Sequence, residues 1–294
     1  MFVSYIFVLI AVFFGSAKGA ISKKISVGIS TLQDNLFVNG FRMLFCCIIG
    51  LGALAFSGGV QQLAVGWKEI AISVLSGVSF SAFVLVWMAC VRHGALVMID
   101  VSLTMGVIIP MLGEKLMWGT DISARQWLGF ALLVVGILVL GSYNNSIKKK
   151  LSLTAILLLV CCGVANGFAS LSQKMFIAFC PDTSTNVFNF YTYFSALILL
   201  GGMLMFKPKT VCEKIKDKKL MLVIFLVAVC LYLNLMFKML AGLKLTSTQI
   251  YPLCQGLGII NSSVIGMVFF KEKINAKAIV GMAISIAALM LINL

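Results

Sequence analysis

Ten unbroken apolar runs, each near the twenty or so residues a helix needs to cross a hydrocarbon layer, constrain this chain more than any motif in it. They fall at about 2–22, 36–56, 70–91, 94–113, 125–142, 152–172, 188–206, 219–237, 246–268 and 277–293. Backbone amides in lipid find no water to bond with, so runs of this kind are either helices or strands of a closed barrel. Barrel strands alternate apolar and polar residues over roughly ten positions, and these runs do not alternate. Composition agrees: of 294 residues, 61% are hydrophobic and 11% charged, against about 25% charged in an ordinary soluble domain. That leaves too few polar side chains to cover a water-facing surface. The sequence predicts an all-α, polytopic integral membrane protein with ten transmembrane helices.

The order of the runs implies a duplication. Residues 241–281 lie on residues 89–129 without a gap, sharing Ala89/Ala241, Gly106/Gly258, Ile108/Ile260, Ile122/Ile274, Ala124/Ala276 and Gly129/Gly281. The shared pattern weighs more than the identities: a long apolar run, a short polar loop, then a second run opening near a small residue and a base. Ser22 and Lys24 likewise match Ser172 and Lys174, and Asn35 and Phe37 match Asn186 and Phe188. A period of half the chain reads as two copies. The first five-helix repeat is placed at 1–143, a basic linker at 144–150 and the second repeat at 151–294. Five is odd, so the second copy must enter the membrane from the opposite side. Such inverted repeats are a transporter architecture with the site near the midplane. Each copy opens on a GxxxG spacing, Gly15/Gly19 and Gly163/Gly167, which predicts close approach of two backbones.

A net charge of +14 does not here indicate nucleic acid, because the bases sit in short loops between apolar runs, where they set topology. One set of alternate loops holds fifteen bases and the other six, the six including Lys174 and Lys238. Taken alone, this tally puts both termini outside the cell. The nine cysteines lie mostly inside apolar runs and behave as small hydrophobes. No Cys or His spacing suggests a metal or a disulfide frame. His93 is the single histidine, and no GxxxxGK[ST] is present, so the sequence calls for no metal, cofactor or ATP and does not read as an enzyme. The first run has no preceding base and reads as a retained helix rather than a cleaved leader.

Ionisable groups inside a bilayer are functional candidates by default, and Lys18, Arg42 and Asp100 qualify. Lys18 and Arg42 have stems long enough to snorkel to the interface. Asp100, about two turns into its helix, needs a basic partner or a wet cavity, and Lys18 or Arg42 could supply the first. Polar side chains also crowd helices six, eight and nine. Asn166 stands in helix six, and Asn234 shares a face with Lys238 in helix eight. Tyr251 and Gln255 share a face in helix nine beside Pro252, which lacks a backbone donor and is expected to kink the helix. These residues read either as the wall of a substrate cavity or as interhelical hydrogen bonds.

With these residues in view, the chain resembles the EamA-type ten-helix permeases of the drug/metabolite transporter superfamily. The run Ala241 to Ser247 is similar to the start of their ninth helix. Phe269 to Ile274, with Glu272, and then Gly281 resemble their loop glutamate and tenth-helix glycine, and Arg42 resembles an arginine of their second helix. The first-half position matching Glu272 is Thr120, with Glu114 six residues earlier. The resemblance implies a secondary transporter in a lipid bilayer, a bacterial cytoplasmic membrane, working as a monomer or homodimer by proton coupling or exchange. Its substrate would be a small polar metabolite such as an amino acid, moved by alternating access. The cavity candidates are Lys18, Asp100, Asn166, Asn234, Tyr251 and Gln255, with Arg42, Pro252 and Glu272 assigned to structure or topology. A membrane accessory or flippase-like subunit acting on lipid-linked substrates is the alternative reading. The resemblance also implies cytoplasmic termini, against the loop tally, and both orientations stay open at this point.

Overall fold

The computed structural model describes residues 2–26, 31–92, 102–142, 153–205, 215–270 and 276–293, and every regular element among them is helical. In chain order these are α1 (Phe2–Ser26), α2 (Leu32–Phe56), α3 (Trp67–Arg92), α4 (Ile108–Trp118), α5 (Ala124–Ser142), α6 (Leu153–Phe179), α7 (Thr185–Met205), α8 (Lys218–Gly242), α9 (Ser247–Phe270) and α10 (Ala276–Asn293), with a short 3-10 turn, Val60–Leu63, before α3. Each apolar run of the sequence corresponds to one of these helices. Among the described residues six helices are long and apolar enough to cross a membrane, and Ala124–Val139 and Ile279–Ile292 are shorter apolar segments. Large apolar side chains such as Phe13, Ile48, Val135, Leu157, Ile198 and Leu222 point outward, as lipid allows and water does not. The protein is an all-α polytopic membrane protein. The expected linker at 144–150, Asp100 and Glu272 lie outside the described residues.

Local chemistry sets the helix ends. Thr31 caps α2 by accepting from the Asp34 amide at 3.1 Å, while the Asp34 carboxylate accepts from the Thr31 amide at 3.0 Å, a reciprocal capping box. Asp217 caps α8 by accepting from the amides of Lys219 and Leu220. At the end of α4, Gly119 takes φ 68°, which lacks steric cost only without a Cβ. Helix four is interrupted. Residues 102–106 are helical, Val107 is a turn, and its amide reaches back three residues to Thr104. Pro110 explains this, since it has no amide to offer the Gly106 carbonyl.

The packing is symmetric between the first five helices and the last five. The helix α1 lies against α8 and α9, and α6 lies correspondingly against α3 and α4; α2 packs on α7, and α5 on α10. Exchanging helices one to five with six to ten maps this pattern onto itself. Within the α1–α8 pair the register is antiparallel. The ring of Phe7 meets Phe237, and Ala11 meets Asn234, so partner numbers fall along α8 as they rise along α1.

The two GxxxG spacings do different things. A Cβ at Gly163 would sit 2.5 Å from the Ser102 carbonyl, and one at Gly167 would sit 2.5 Å from the Gly106 carbonyl, so α6 and helix four touch backbone to backbone. In the first half, Gly15 faces only the Asn234 side-chain amide, 2.9 Å from its would-be Cβ, and Gly19 faces open space. The expected backbone approach therefore holds in the second repeat alone. Gly19→Ala is expected to change stability by less than about 0.5 kcal/mol beyond helix propensity, checked by melting the purified protein in detergent.

Candidate functional site

Three helices of the second half meet at Ser170. The Tyr251 hydroxyl on α9 donates to the Ser170 carbonyl on α6 at 2.6 Å, and Tyr251 is buried. Lys238, on α8, donates from Nζ to the Ser170 hydroxyl at 3.3 Å and stands 4.6 Å over the Tyr251 ring centroid. A cation over an aromatic face contributes about 2 kcal/mol when desolvated, so the tyrosine both anchors α9 to α6 and holds the ammonium in place. Pro252 follows Tyr251 inside α9, and the helix continues through it to Phe270. Tyr251→Phe keeps the ring but removes the bond to Ser170. It is expected to lower stability by about 1–2 kcal/mol, since the carbonyl is left without that partner; a shift in melting temperature checks it.

The first half contributes Lys18 from α1 and Arg42 from α2. In a helix the Cα–Cβ bonds tilt toward the N-terminus. Because α1 and α8 run antiparallel, Lys18 and Lys238 lean toward one another along the seam, and Lys18 lies within electrostatic reach of both Arg42 and Lys238. Lys18 sits eight residues from the end of α1, about 12 Å along the axis. Arg42 does not snorkel. It is only 7% exposed, donates to the Asn39 side-chain oxygen, and leaves Nε without a partner. Asn39 in turn donates to the carbonyl of Asn35 one turn back, so a ladder of amides on α2 fixes the guanidinium.

Lys18 and Lys238 are both half-buried, each keeping accessible surface. Asn166 is one turn before Ser170 on α6, and Gln255 is one turn after Tyr251 on α9. Both are half-buried and share the face of their contacting neighbour. Of the residues singled out from the sequence, Tyr251 meets Lys238 at Ser170, with Asn166 and Gln255 one turn away on their own helices, and Lys18 lies within electrostatic reach of Arg42 and Lys238. Asn234 serves the seam: its Nδ2 donates to the Ala11 carbonyl at 2.6 Å. Asp100 and Glu272 are outside the described residues.

A second polar group was not read from the sequence. Lys174 on α6 donates to the carbonyl of Gly242 at 3.0 Å and to that of Leu245, and its Nζ lies 4.0 Å from the Glu114 carboxylate of α4. Glu114 also accepts from the Ser247 amide at the start of α9. The lysine thus satisfies carbonyls at the end of α8, and the glutamate an amide at the start of α9, each at the pole of the helix that favours its charge. The pair ties helix four of the first half to the α8–α9 turn of the second. The match of Lys174 with Lys24, and the offset of Glu114 from the position matching Glu272, were the available signals. Lys174 and Lys238 are also held inside the protein by their partners, and so say nothing of loop charge.

Residues 153–294 match the model of the EamA-like transporter family. This half of the chain is an EamA domain. A solved crystal structure, described simply as that of a protein, superposes on the chain with a TM-score of 0.79, covering 98% of this chain and 95% of the other at 11% identity. At that identity the likeness speaks for the fold alone. Among curated proteins none matches the sequence. Residues 153–294 of this polytopic membrane protein therefore carry a transporter domain of the drug/metabolite type.

Proposed function

We propose that this EamA protein is a secondary transporter that moves a small polar metabolite, such as an amino acid, by alternating access, using the region between Lys18 and Lys238. The observation that carries this reading is the set of half-buried polar side chains, Lys18, Asn166, Lys238 and Gln255, on helices of both halves. Burying ionisable groups in a bilayer is costly unless they serve a pathway or a partner. The paired packing of α2 on α7 and α5 on α10 supplies seams about which two halves can rock, as repeat-built transporters do. Exchange or a proton gradient would drive it, as the chain has no phosphate-binding loop.

Counterflow tests this. Proteoliposomes containing the purified chain and loaded with a bacterial metabolite extract are placed in labelled extract, and accumulation of label is measured. Accumulation above empty liposomes is expected, together with its loss by at least tenfold in Gln255→Leu and Asn166→Leu proteins that melt like the wild type. Wild-type accumulation equal to that of empty liposomes contradicts transport of a soluble metabolite. Accumulation that survives both substitutions contradicts the site.

A further inference from the structure

Resting on that transport reading, we infer that the substrate is an organic anion, a carboxylate or phosphate held among Lys18, Arg42 and Lys238. The helices α1 and α2 both pack on α8, with Asn234 bonded to Ala11 across the α1–α8 seam, and Lys18 of α1 lies within electrostatic reach of Arg42 of α2 and Lys238 of α8. No carboxylate among the described residues lies within 4.0 Å of any of them, the one such ion pair there being Lys174 with Glu114. The other described acids stand at helix ends or in loops: Asp34 and Asp217 at the starts of α2 and α8, Glu69 in the first turn of α3, and Asp121 and Asp182 between helices.

The donors are arranged for a guest. Arg42 is 7% exposed, and its Nε points at no protein acceptor. Lys238 has one hydroxyl partner and one ring face, neither of which carries negative charge. Like charges brought together in a low-dielectric interior repel strongly, and a bound anion relieves that repulsion while accepting from all three. Charge-assisted bonds from ammonium and guanidinium groups to an oxyanion are the strong class of hydrogen bond. A zwitterion would leave part of this repulsion in place and set its own ammonium beside three bases. Ser170 and Tyr251 serve the site as positioning residues, by fixing Lys238.

The test uses the full chain in nanodiscs and reads the melting temperature from tryptophan fluorescence at constant ionic strength. The probes are succinate, inorganic phosphate, alanine and putrescine. Succinate, phosphate or both are expected to raise the melting temperature saturably, and which of them acts separates a carboxylate from a phosphate ligand. Lys18→Gln and Lys238→Gln should each weaken the apparent affinity by about tenfold or more, and Lys18→Arg and Lys238→Arg should retain most of it. The arginine variants keep the proposal open to contradiction if a glutamine variant does not fold.

Stabilisation by alanine or putrescine with both anions inert overturns the inference. So does anion stabilisation unchanged by Lys18→Gln and Lys238→Gln. Anion binding that is absent from the wild type and created by Asp100→Asn would show the cluster to be neutralised internally, and overturns it as well. Where both anions are inert but counterflow persists, the anion reading alone has failed; where counterflow is absent too, the transport reading falls with it.

Discussion

Lys174→Met is expected to destabilise the protein by about 3–5 kcal/mol, the usual effect of removing one partner from a buried ion pair. The loss has three parts. The carbonyls of Gly242 and Leu245 lose their donor, and Glu114, only 12% exposed, loses its cation. Glu114→Gln should cost less, since the amide can still accept from Ser247 and Lys174 keeps its two carbonyls. The double variant should recover part of the single-lysine loss, because the two effects share one network. Chemical or thermal melting of the four proteins in one detergent measures this. Equal melting of Lys174→Met and wild type would mean that the pair does not clamp the α8–α9 turn.

The second large effect is expected at Gly163→Leu. A Cβ there would meet the backbone carbonyl of Ser102, an atom that cannot swing aside as a side chain can. Overpacking of this kind typically costs about 1–3 kcal/mol, and occasionally more; the contact is to backbone, so the upper end of that range is expected, with reduced yield of folded protein. Gly136→Leu should behave similarly. Its Cβ would lie 3.0 Å from the Ser285 amide nitrogen and 3.2 Å from the Gly281 carbonyl, on the seam of α5 with α10. Gly19 is the internal control, having the same motif and no neighbour within 4 Å.

Much of the fold was legible because each spanning helix must be continuously apolar, and ten such runs leave little freedom. Boundaries were less so. The helix α6 runs to Phe179 and α4 to Trp118, beyond the expected ends at 172 and 113, because Lys174 and Glu114 satisfy each other's neighbourhood inside the protein and need no water. Partners inside the protein, Glu114 for Lys174 and Ser170 with Tyr251 for Lys238, explain why both resembled loop bases: a lysine near the end of an apolar run looks interfacial until its partners are known. The GxxxG spacings show the limit of motif reading, since Gly163 and Gly15 stand at equivalent places and only one meets a backbone. Tyr251 and Gln255 were found from face-sharing, which helix geometry guarantees. That Lys238 stands over Tyr251, and that Asn234 bonds to Ala11, depends on tertiary register, which spacing within a single helix cannot give.

Water access to the interior is the central claim, and cysteine labelling tests it most directly. In a protein with its native cysteines replaced, single cysteines are placed at Asn166, Gln255 and Val135, and membrane-impermeant thiol reagent is added to intact proteoliposomes. Labelling of Asn166→Cys and Gln255→Cys, with none at the outward-facing Val135→Cys, is the predicted result. Interior positions as unreactive as Val135→Cys would mean that the two halves enclose no water-filled path.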